Sequence, residues 1–383
     1  MSGILGSLVG IIIGLIPGLH CNLFAYLILL NNDLSVAVFL FCALLSGNVF
    51  EFLSAAYLKV PKEGEILLND AFGRFLMDGR MNSAVRIIAY SGIITYSIAM
   101  ILGVLIGNII SLASNYLGNY AWILLLIISV LIIFRQKRWL IALSFFLGSG
   151  ILGIIAFNIN LNEPFLPLLS GMFGISALLF GSQKNTAPMQ IDKTAVESGF
   201  FDFLRVSVIG VFSSIFMMLV PAISPSQIGF FSSNYKNDEL KVASMASINI
   251  ADVVLSLTTF FYIGKARNGT IEKIGQALAI GLKEYYLLMF FGFFALLLSC
   301  LISININKKL GKNIDLIGSK YFKMGIIIFV TLLTLFFDGF AGLFVLIASS
   351  ILGFFLIKKN VRPVNLMGSI AVPTILFFIL RLF

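Results

Sequence analysis

Residues 14–22 read GLIPGLHCN and residues 219–227 read LVPAISPSQ, and each stretch interrupts a long apolar run. Proline has no amide hydrogen to donate and glycine permits a turn. The first stretch should therefore break a helix at its proline and glycine, and the second stretch should break one at its prolines. Backbone that is not helical survives inside a membrane only where it is buried in protein or lines a water-filled cavity. One such break in each half of a chain is the best sequence indication of a transporter binding site.

The composition of the 383-residue chain excludes a soluble protein. Hydrophobic residues make up 59% of the sequence and charged residues 11%, whereas soluble globular chains carry about 25% charged residues. The mean hydropathy is +1.04. The sequence therefore predicts a multi-pass protein of the cell membrane, in contact with the lipid bilayer and without a nucleic-acid partner.

Twelve apolar segments follow one another along the chain, and they predict an all-α fold because a helix across a bilayer core of about 30 Å needs about 20 residues. The first half contains Ile4–Leu30 (broken at Pro17), Leu34–Leu58, Ile87–Ile110, Ala121–Phe134, Leu140–Phe157 and Leu166–Phe180. The second half contains Phe203–Ile223 (broken at Pro221), Val242–Ile263, Tyr285–Ile306, Met324–Phe337, Phe340–Ile357 and Leu366–Leu382.

Short matches recur in the same order at an offset of about 200 residues, which indicates an internal duplication. Asn48-x-x-Glu51 matches Asn249-x-x-Asp252, and SGILG at 149–153 matches SSILG at 349–353. We therefore predict two membrane repeats of about six segments each, residues 1–190 and residues 191–383.

Loop charges indicate that the two repeats have opposite orientations, because lysine and arginine concentrate in cytoplasmic loops. Each of three loops in one repeat differs in charge from its counterpart: the uncharged 108–120 corresponds to the lysine-rich 308–323, the basic 135–138 to a lone Asp338, and a lone Glu163 to the basic 358–362. Inversion requires an odd number of crossings per repeat. The proline-broken first segment of each repeat is the candidate re-entrant helix.

The candidate substrate contacts are residues at the two breaks and the two basic residues that follow the segment Val242–Ile263. The freed backbone amides at the start of a half-helix favour an anion. The candidates are Pro17, Gly18, His20, Asn22, Pro221, Ser224, Ser226, Lys265 and Arg267. A simple proline kink is the alternative for the first break. An interfacial anchor at the lipid headgroups is the alternative for Lys265 and Arg267.

Carboxylates inside apolar segments are candidates for binding a coupling ion, because a charge in the membrane interior costs a few kcal/mol. The candidate set is Asn48, Glu51, Asn249, Asp252 and Ser256, with H⁺ or Na⁺ as the ion, and pairing with Lys59 is the alternative for Glu51. One histidine and three cysteines in apolar stretches form no metal-binding or catalytic motif. We therefore predict no enzymatic activity and no cofactor apart from a coupling ion.

Together these residues resemble the TctA-type permease family, the large membrane subunit of tripartite tricarboxylate transporters, and especially its shorter archaeal relatives. The resemblance covers nearly the whole chain. Its motifs are GLIPGLHCN (14–22), NVFEFL (48–53), VPKE (60–63), GR (79–80), PLLSGMFG (167–174), ADVVLSL (251–257) and IGKARNG (263–269). The sequence departs from the family's usual residues at Cys21, Gly47, Glu51 and Ala222, where the relatives tend to have Pro, His, Asp and Gly.

The resemblance implies a permease that, in complete systems, works with an extracytoplasmic binding protein and a small membrane subunit. We therefore predict a secondary-active transporter for a small organic anion, a carboxylate, in symport with Na⁺ or H⁺. Two alternatives stay open: a transporter or flippase of a polyprenyl-phosphate-type lipid, and a membrane scaffold or lipid-modifying enzyme without transport. A path lined by aliphatic residues and some of the 38 Phe would suit a lipid, whereas a closed polar pocket would suit a dicarboxylate.

Overall fold

A computed structural model describes residues 1–17, 19, 21–22, 33–58, 66–117, 120–180, 188, 190, 195–230, 235, 237–317 and 319–382. The first half contains α1 (Ser2–Leu15), α2 (Leu34–Leu58), α3 (Ile66–Met77), α4 (Met81–Ile101), α5 (Gly103–Leu117), α6 (Ala121–Phe134), α7 (Trp139–Asn158) and α8 (Phe165–Phe180). The second half contains α9 (Phe200–Leu219), α10 (Pro225–Gly229), α11 (Asp238–Ile263), α12 (Gly269–Ala277), α13 (Leu282–Lys312), α14 (Ile314–Ile317), α15 (Lys320–Lys358) and α16 (Gly368–Leu382).

The described residues form helices and no strand. Eight helical stretches are long and apolar enough to cross a membrane, or up to nine if α5 and α6 count as one broken span. The prediction of an all-α, multi-pass membrane protein is confirmed. The inverted repeats stay a prediction.

The helices differ from the predicted segments in two respects, a divided segment and two additional short helices. The predicted run Ile87–Ile110 is divided between α4 and α5, because the chain breaks at Leu102. The predicted boundary between Met324–Phe337 and Phe340–Ile357 agrees with a break inside α15 at Gly339, which has a φ of 61° and a ψ of −152°. The helices α3 and α12 were not predicted, because they contain charged residues and are too short to span a membrane.

Helices α2 and α11 occupy the centre of the protein. In the most apolar window of each, 83% of α2 and 72% of α11 is buried, against 33–56% for the other candidate spans. These two helices carry the matched Asn48/Glu51 and Asn249/Asp252 pairs, so the predicted ion-binding residues lie in the core.

Small residues allow close packing of α1 on α2, in a contact called the α1–α2 seam below. Gly6, Gly10 and Gly14 lie along it, and a Cβ atom at Gly10 would stand 2.2 Å from the carbonyl oxygen of Ala43. Glycine therefore lets the two backbones touch, as in membrane helix pairs with small residues at every fourth position. The corresponding helix α9 packs on α11 through Gly210, where a Cβ would stand 2.6 Å from Cβ of Ser247.

The two halves of the sequence interlock and are not separate packing units. Helix α13 packs against both α2 and α4. There the hydroxyl of Tyr96 donates to the carbonyl oxygen of Met289 at 2.8 Å, and the Asn307 amide donates to Oδ1 of Asn82 at 2.6 Å. Helix α7 packs on α16, and α15 packs on α8. Each half therefore completes the interior of the other.

The loops between helices pair across the halves. The basic loop 135–138 contacts the basic loop 358–362 and the turn after it, where Gln136 bonds to Asn365 and Arg138 bonds to the carbonyl oxygen of Lys359. The acidic loop 159–164 instead contacts the break in α15, where the Glu163 amide donates to Asp338. The basic loops thus contact each other and Glu163 contacts Asp338, while the opposite orientation of the two repeats stays a prediction.

Candidate functional site

The first break follows α1, which ends at Leu15 because Ile16 turns to an extended conformation with a φ of −104° and a ψ of 109°. Pro17 is buried. Beyond it, Oδ1 of Asn22 accepts hydrogen bonds from the backbone amide of Thr270 at 2.9 Å and from its hydroxyl at 2.7 Å. The break in the first half is therefore attached to the start of α12 in the second half. Gly18, His20 and Lys59 lie outside the described residues.

The second break lies between α9 and α10. The chain leaves α9 at Val220, passes Pro221, and enters the left-handed region at Ala222 with a φ of 57°. Ser224 then caps α10: its hydroxyl accepts from the Gln227 amide, and the Gln227 side chain accepts from the Ser224 amide at 2.8 Å. This reciprocal cap holds the second break in a defined shape.

The two matched pairs of polar residues face one space. Asn48 and Glu51 lie three positions apart on α2, and Asn249 and Asp252 lie three positions apart on α11, so each pair shares one helix face. Each asparagine amide donates to the carbonyl oxygen four residues earlier, at 3.5 Å for Asn48 and 3.0 Å for Asn249. All four side chains line the same cavity.

An ion pair joins Asp252 to Arg267, with 2.7 Å between Oδ1 and Nε. The pair forms because α11 ends at Gly264, whose φ of 66° turns the chain back along the helix. The hydroxyl of Ser256 then accepts from the amides of Arg267 and Asn268 at 3.1 and 3.0 Å. Ser256 is fully buried and positions this loop, while Lys265 is exposed and does not line the cavity.

The cavity has a volume of about 470 Å³. Of the predicted residues, Asn22, Asn48, Glu51, Ser224, Asn249, Asp252 and Arg267 line it. Pro17, Pro221, Ser226 and Ser256 do not line it, and the Ser226 hydroxyl lies 2.7 Å from that of Ser224. The roles of these residues in binding stay predictions.

Four polar residues of the lining were not predicted from the sequence: Glu163, Asn268, Glu272 and Lys273. Glu163 lies in the loop before α8, and the other three lie at the start of α12. Asn268 caps α12 through the Thr270 amide at 2.9 Å, a pattern of asparagine before glycine and threonine that could have revealed this helix. Burial raises the pKa of the Glu163 carboxyl above its usual value, the nearby charge of Asp338 raises it further, and Lys273 lowers it.

Together, the spanning helices and a cavity lined by polar residues of both halves describe a multi-pass membrane protein with a candidate site for a small molecule. The model of the tripartite tricarboxylate transporter TctA family matches residues 1–368. The chain therefore belongs to this family of membrane transporters, as the resemblance implied. Membership in a transporter family also fits the prediction of no enzymatic activity.

A full-length relative is known from an archaeon. The uncharacterized protein MJ1079 of Methanocaldococcus jannaschii is 26% identical over 401 aligned positions, which cover 98% of each chain. No solved structure matches the chain.

Proposed function

We propose that the protein is a secondary-active transporter for a small organic anion, a carboxylate, and that the cavity is its substrate site. The observation that carries the proposal is one cavity bordered by both helix breaks and by the matched pairs of α2 and α11. In transporters with internal repeats, substrate and coupling ions bind where the repeats meet near discontinuous helices. The volume of about 470 Å³ falls within the 300–1,000 Å³ typical of small-molecule sites.

Arg267 is the proposed anion receptor. Its guanidinium already holds a carboxylate, that of Asp252, at 2.7 Å, and a planar guanidinium is suited to recognise carboxylates. The Ser224 hydroxyl and the Lys273 ammonium also belong to the lining. Four carboxylates accompany these two cations, so the empty cavity has a negative formal charge and would repel a free anion.

This charge balance gives a physical route to symport. A cation that binds Asp252, either Na⁺ or H⁺, weakens the hold of Asp252 on Arg267 and lets the substrate carboxylate take its place. An anion on Arg267 in turn leaves Asp252 for the cation. Each ligand therefore strengthens binding of the other by the same factor, and Asn48, Glu51 and Asn249 stand where they could complete the cation site.

The lining favours a polar substrate over a polyprenyl-phosphate-type lipid. About half of the lining residues are polar or charged, and Phe165 is the lining's single phenylalanine among described residues. Many of the other phenylalanines, such as Phe212, Phe340 and Phe344, are exposed on the outside of the helices. The family description names a tripartite system, and we propose a small membrane subunit and an extracytoplasmic binding protein as partners.

Uptake into proteoliposomes tests the proposal. Purified protein is reconstituted and offered labelled acetate, succinate, citrate or inorganic phosphate, with an imposed Na⁺ gradient, an imposed pH gradient or neither. We expect saturable, gradient-dependent uptake of at least one carboxylate, loss of that uptake in Arg267→Gln, and normal uptake in Lys283→Gln, an exposed cation at the start of α13. Uptake of no carboxylate, together with accelerated flipping of a fluorescent polyprenyl phosphate, would replace the proposal with the lipid alternative.

A further inference from the structure

The loop between α7 and α8 docks on the break in α15. Gly339 has a φ of 61° and a ψ of −152°, a conformation open almost only to glycine, so the helix is interrupted at this point. The Asn162 side chain donates to the carbonyl oxygen of Phe337, and the Glu163 amide donates to Oδ1 of Asp338 at 2.8 Å. The loop therefore donates hydrogen bonds to one backbone carbonyl and one side-chain carboxylate at the break.

The carboxylate of Asp338 is buried beside this break. The residue is 8% exposed, and its second oxygen, Oδ2, has no hydrogen-bond partner within the part of the chain that the structure describes. Burying an ionised carboxylate without enough hydrogen bonds costs several kcal/mol. That cost is comparable to the free energy of unfolding of a marginally stable protein. A bound proton removes that charge and gives the oxygen a hydrogen to donate.

Glu163 links this buried carboxylate to the cavity. It lines the cavity, and the charge of Asp338 acts on it in the same sense as burial, towards the protonated form. The hydrogen bond from the Glu163 amide to Asp338 keeps the two residues in contact, and neighbouring carboxyl groups cannot both ionise easily. Among the described residues, Lys273 of α12 acts on the Glu163 carboxyl, and the other charged groups that line the same cavity are Glu272, Glu51, Asp252 and Arg267.

We propose that Glu163 and Asp338 form a proton-binding carboxyl pair and that H⁺ is a coupling ion of the transporter. The pair takes one proton from water on one side of the membrane as a carboxyl O–H bond, and returns it to water on the other side when α15 changes its bend at Gly339. This site is separate from the Asp252–Arg267 pair, and the inference rests on the proposed transport function.

Two transport assays distinguish a failure of the proton site from a failure of the proposed transport function on which it rests. In counterflow, unlabelled substrate inside the vesicles exchanges for labelled succinate or citrate at equal pH, which needs the substrate site but no proton gradient. In accumulation, an inward gradient of one pH unit should concentrate the same probe up to about tenfold for one proton per substrate. We expect Asp338→Asn, whose side chain does not line the cavity, to keep counterflow within about twofold while accumulation falls to the equilibrium level. Glu163→Gln changes the lining itself, so its accumulation is compared with its own counterflow and should also fall to the equilibrium level. The matched control Asp78→Asn, an exposed carboxylate in the turn after α3, should behave as wild type.

A second readout needs no substrate. Because the pKa of Glu163 is raised in the folded protein, its contribution to stability is full below the ordinary value of 4.5 and is lost as pH rises through the raised value. The melting temperature of the wild type should therefore fall across that window, and the fall should be smaller in both variants. Neutralising variants that remain monodisperse on size exclusion are taken as folded.

The outcomes are distinct. Absence of counterflow in the wild type would remove the proposed function, while the melting profile would still judge the proton site. Unchanged accumulation in both variants, accumulation that responds to Na⁺ alone, or melting profiles of both variants that match the wild type would each overturn the carboxyl pair as a proton site.

Discussion

The Asp252–Arg267 ion pair yields a quantitative prediction through a double-mutant cycle. The two charge centres are about 4 Å apart, which at an effective dielectric constant of about 20 corresponds to about 4 kcal/mol of attraction. The Asp252 and Arg267 side chains are 14% and 17% exposed, so solvent screens them only in part. Removing one partner of a buried pair costs about 3–5 kcal/mol, and we expect the lower end of that range for Asp252→Asn and for Arg267→Gln.

The double variant is expected to be more stable than the sum of the single losses predicts, because neither charge is then left alone. The coupling energy should be about 2 kcal/mol, within the range of about 0.5–3 kcal/mol for residues in contact. With an unfolding entropy of about 2.1 cal/mol/K per residue, a loss of 3 kcal/mol lowers the melting temperature by roughly 4 °C.

Melting in detergent, followed by the fluorescence of the two tryptophans, measures these shifts. Lys265→Gln, two residues from Arg267 and exposed, should leave the melting temperature unchanged. Transport adds a second test on the same proteins: Asp252→Asn should lose gradient-driven uptake while it keeps its fold. Single losses that add up in the double variant to within about 0.5 kcal/mol would refute the ion pair as a stabilising contact.

Three further predictions concern the fold. Ala222→Gly should raise the melting temperature, because a left-handed alanine costs about 1–2 kcal/mol and the greater chain entropy of glycine in the unfolded state offsets only about 0.5–1 kcal/mol of this. A lower melting temperature would contradict the left-handed turn. Gly10→Ala should lower the melting temperature or the folded yield by opening the α1–α2 seam, while Gly325→Ala, where a Cβ meets nothing within 4 Å, should keep or raise it; equal losses would contradict the seam. Without its buried cysteines, the protein should react with external maleimide in Asn115→Cys or Lys308→Cys but not in both, and equal labelling would rule out inverted repeats.

The sequence predicts the helices best where the apolar run is bounded by polar residues. The bounds of α2 and α6 agree with the predicted Leu34–Leu58 and Ala121–Phe134, because charges or turns flank both. The break at Leu102 was missed because the residues around it, Ile101 to Leu105, are all apolar or glycine. Apolar composition fixes how much chain is in the membrane, but the packing of neighbouring helices decides where it bends.

The residues of the candidate site were likewise predictable from the sequence only in part. Polar residues inside apolar runs stand out in a sequence, and Asn48, Glu51, Asn249 and Asp252 do line one cavity. Glu163 and Lys273 lie in polar surroundings, so nothing in their sequence context distinguishes them from surface residues. Arg267 and Lys265 are two residues apart, and the left-handed turn at Gly264 sends one into the cavity and the other to the outside.

The hydrogen bonds between α13 and the first half have a consequence for how the protein is made. The partner of Asn82, Asn307, is synthesised 225 residues later. That interval lasts about 10–45 s at about 5–20 residues per second. The delay is longer for Ser46, because its partner Ser299 lies 253 residues further along the chain. During that time the nascent first half presents polar side chains in the membrane without their final partners, so a pause or an early stop before α13 would leave a half-protein exposed to membrane quality control.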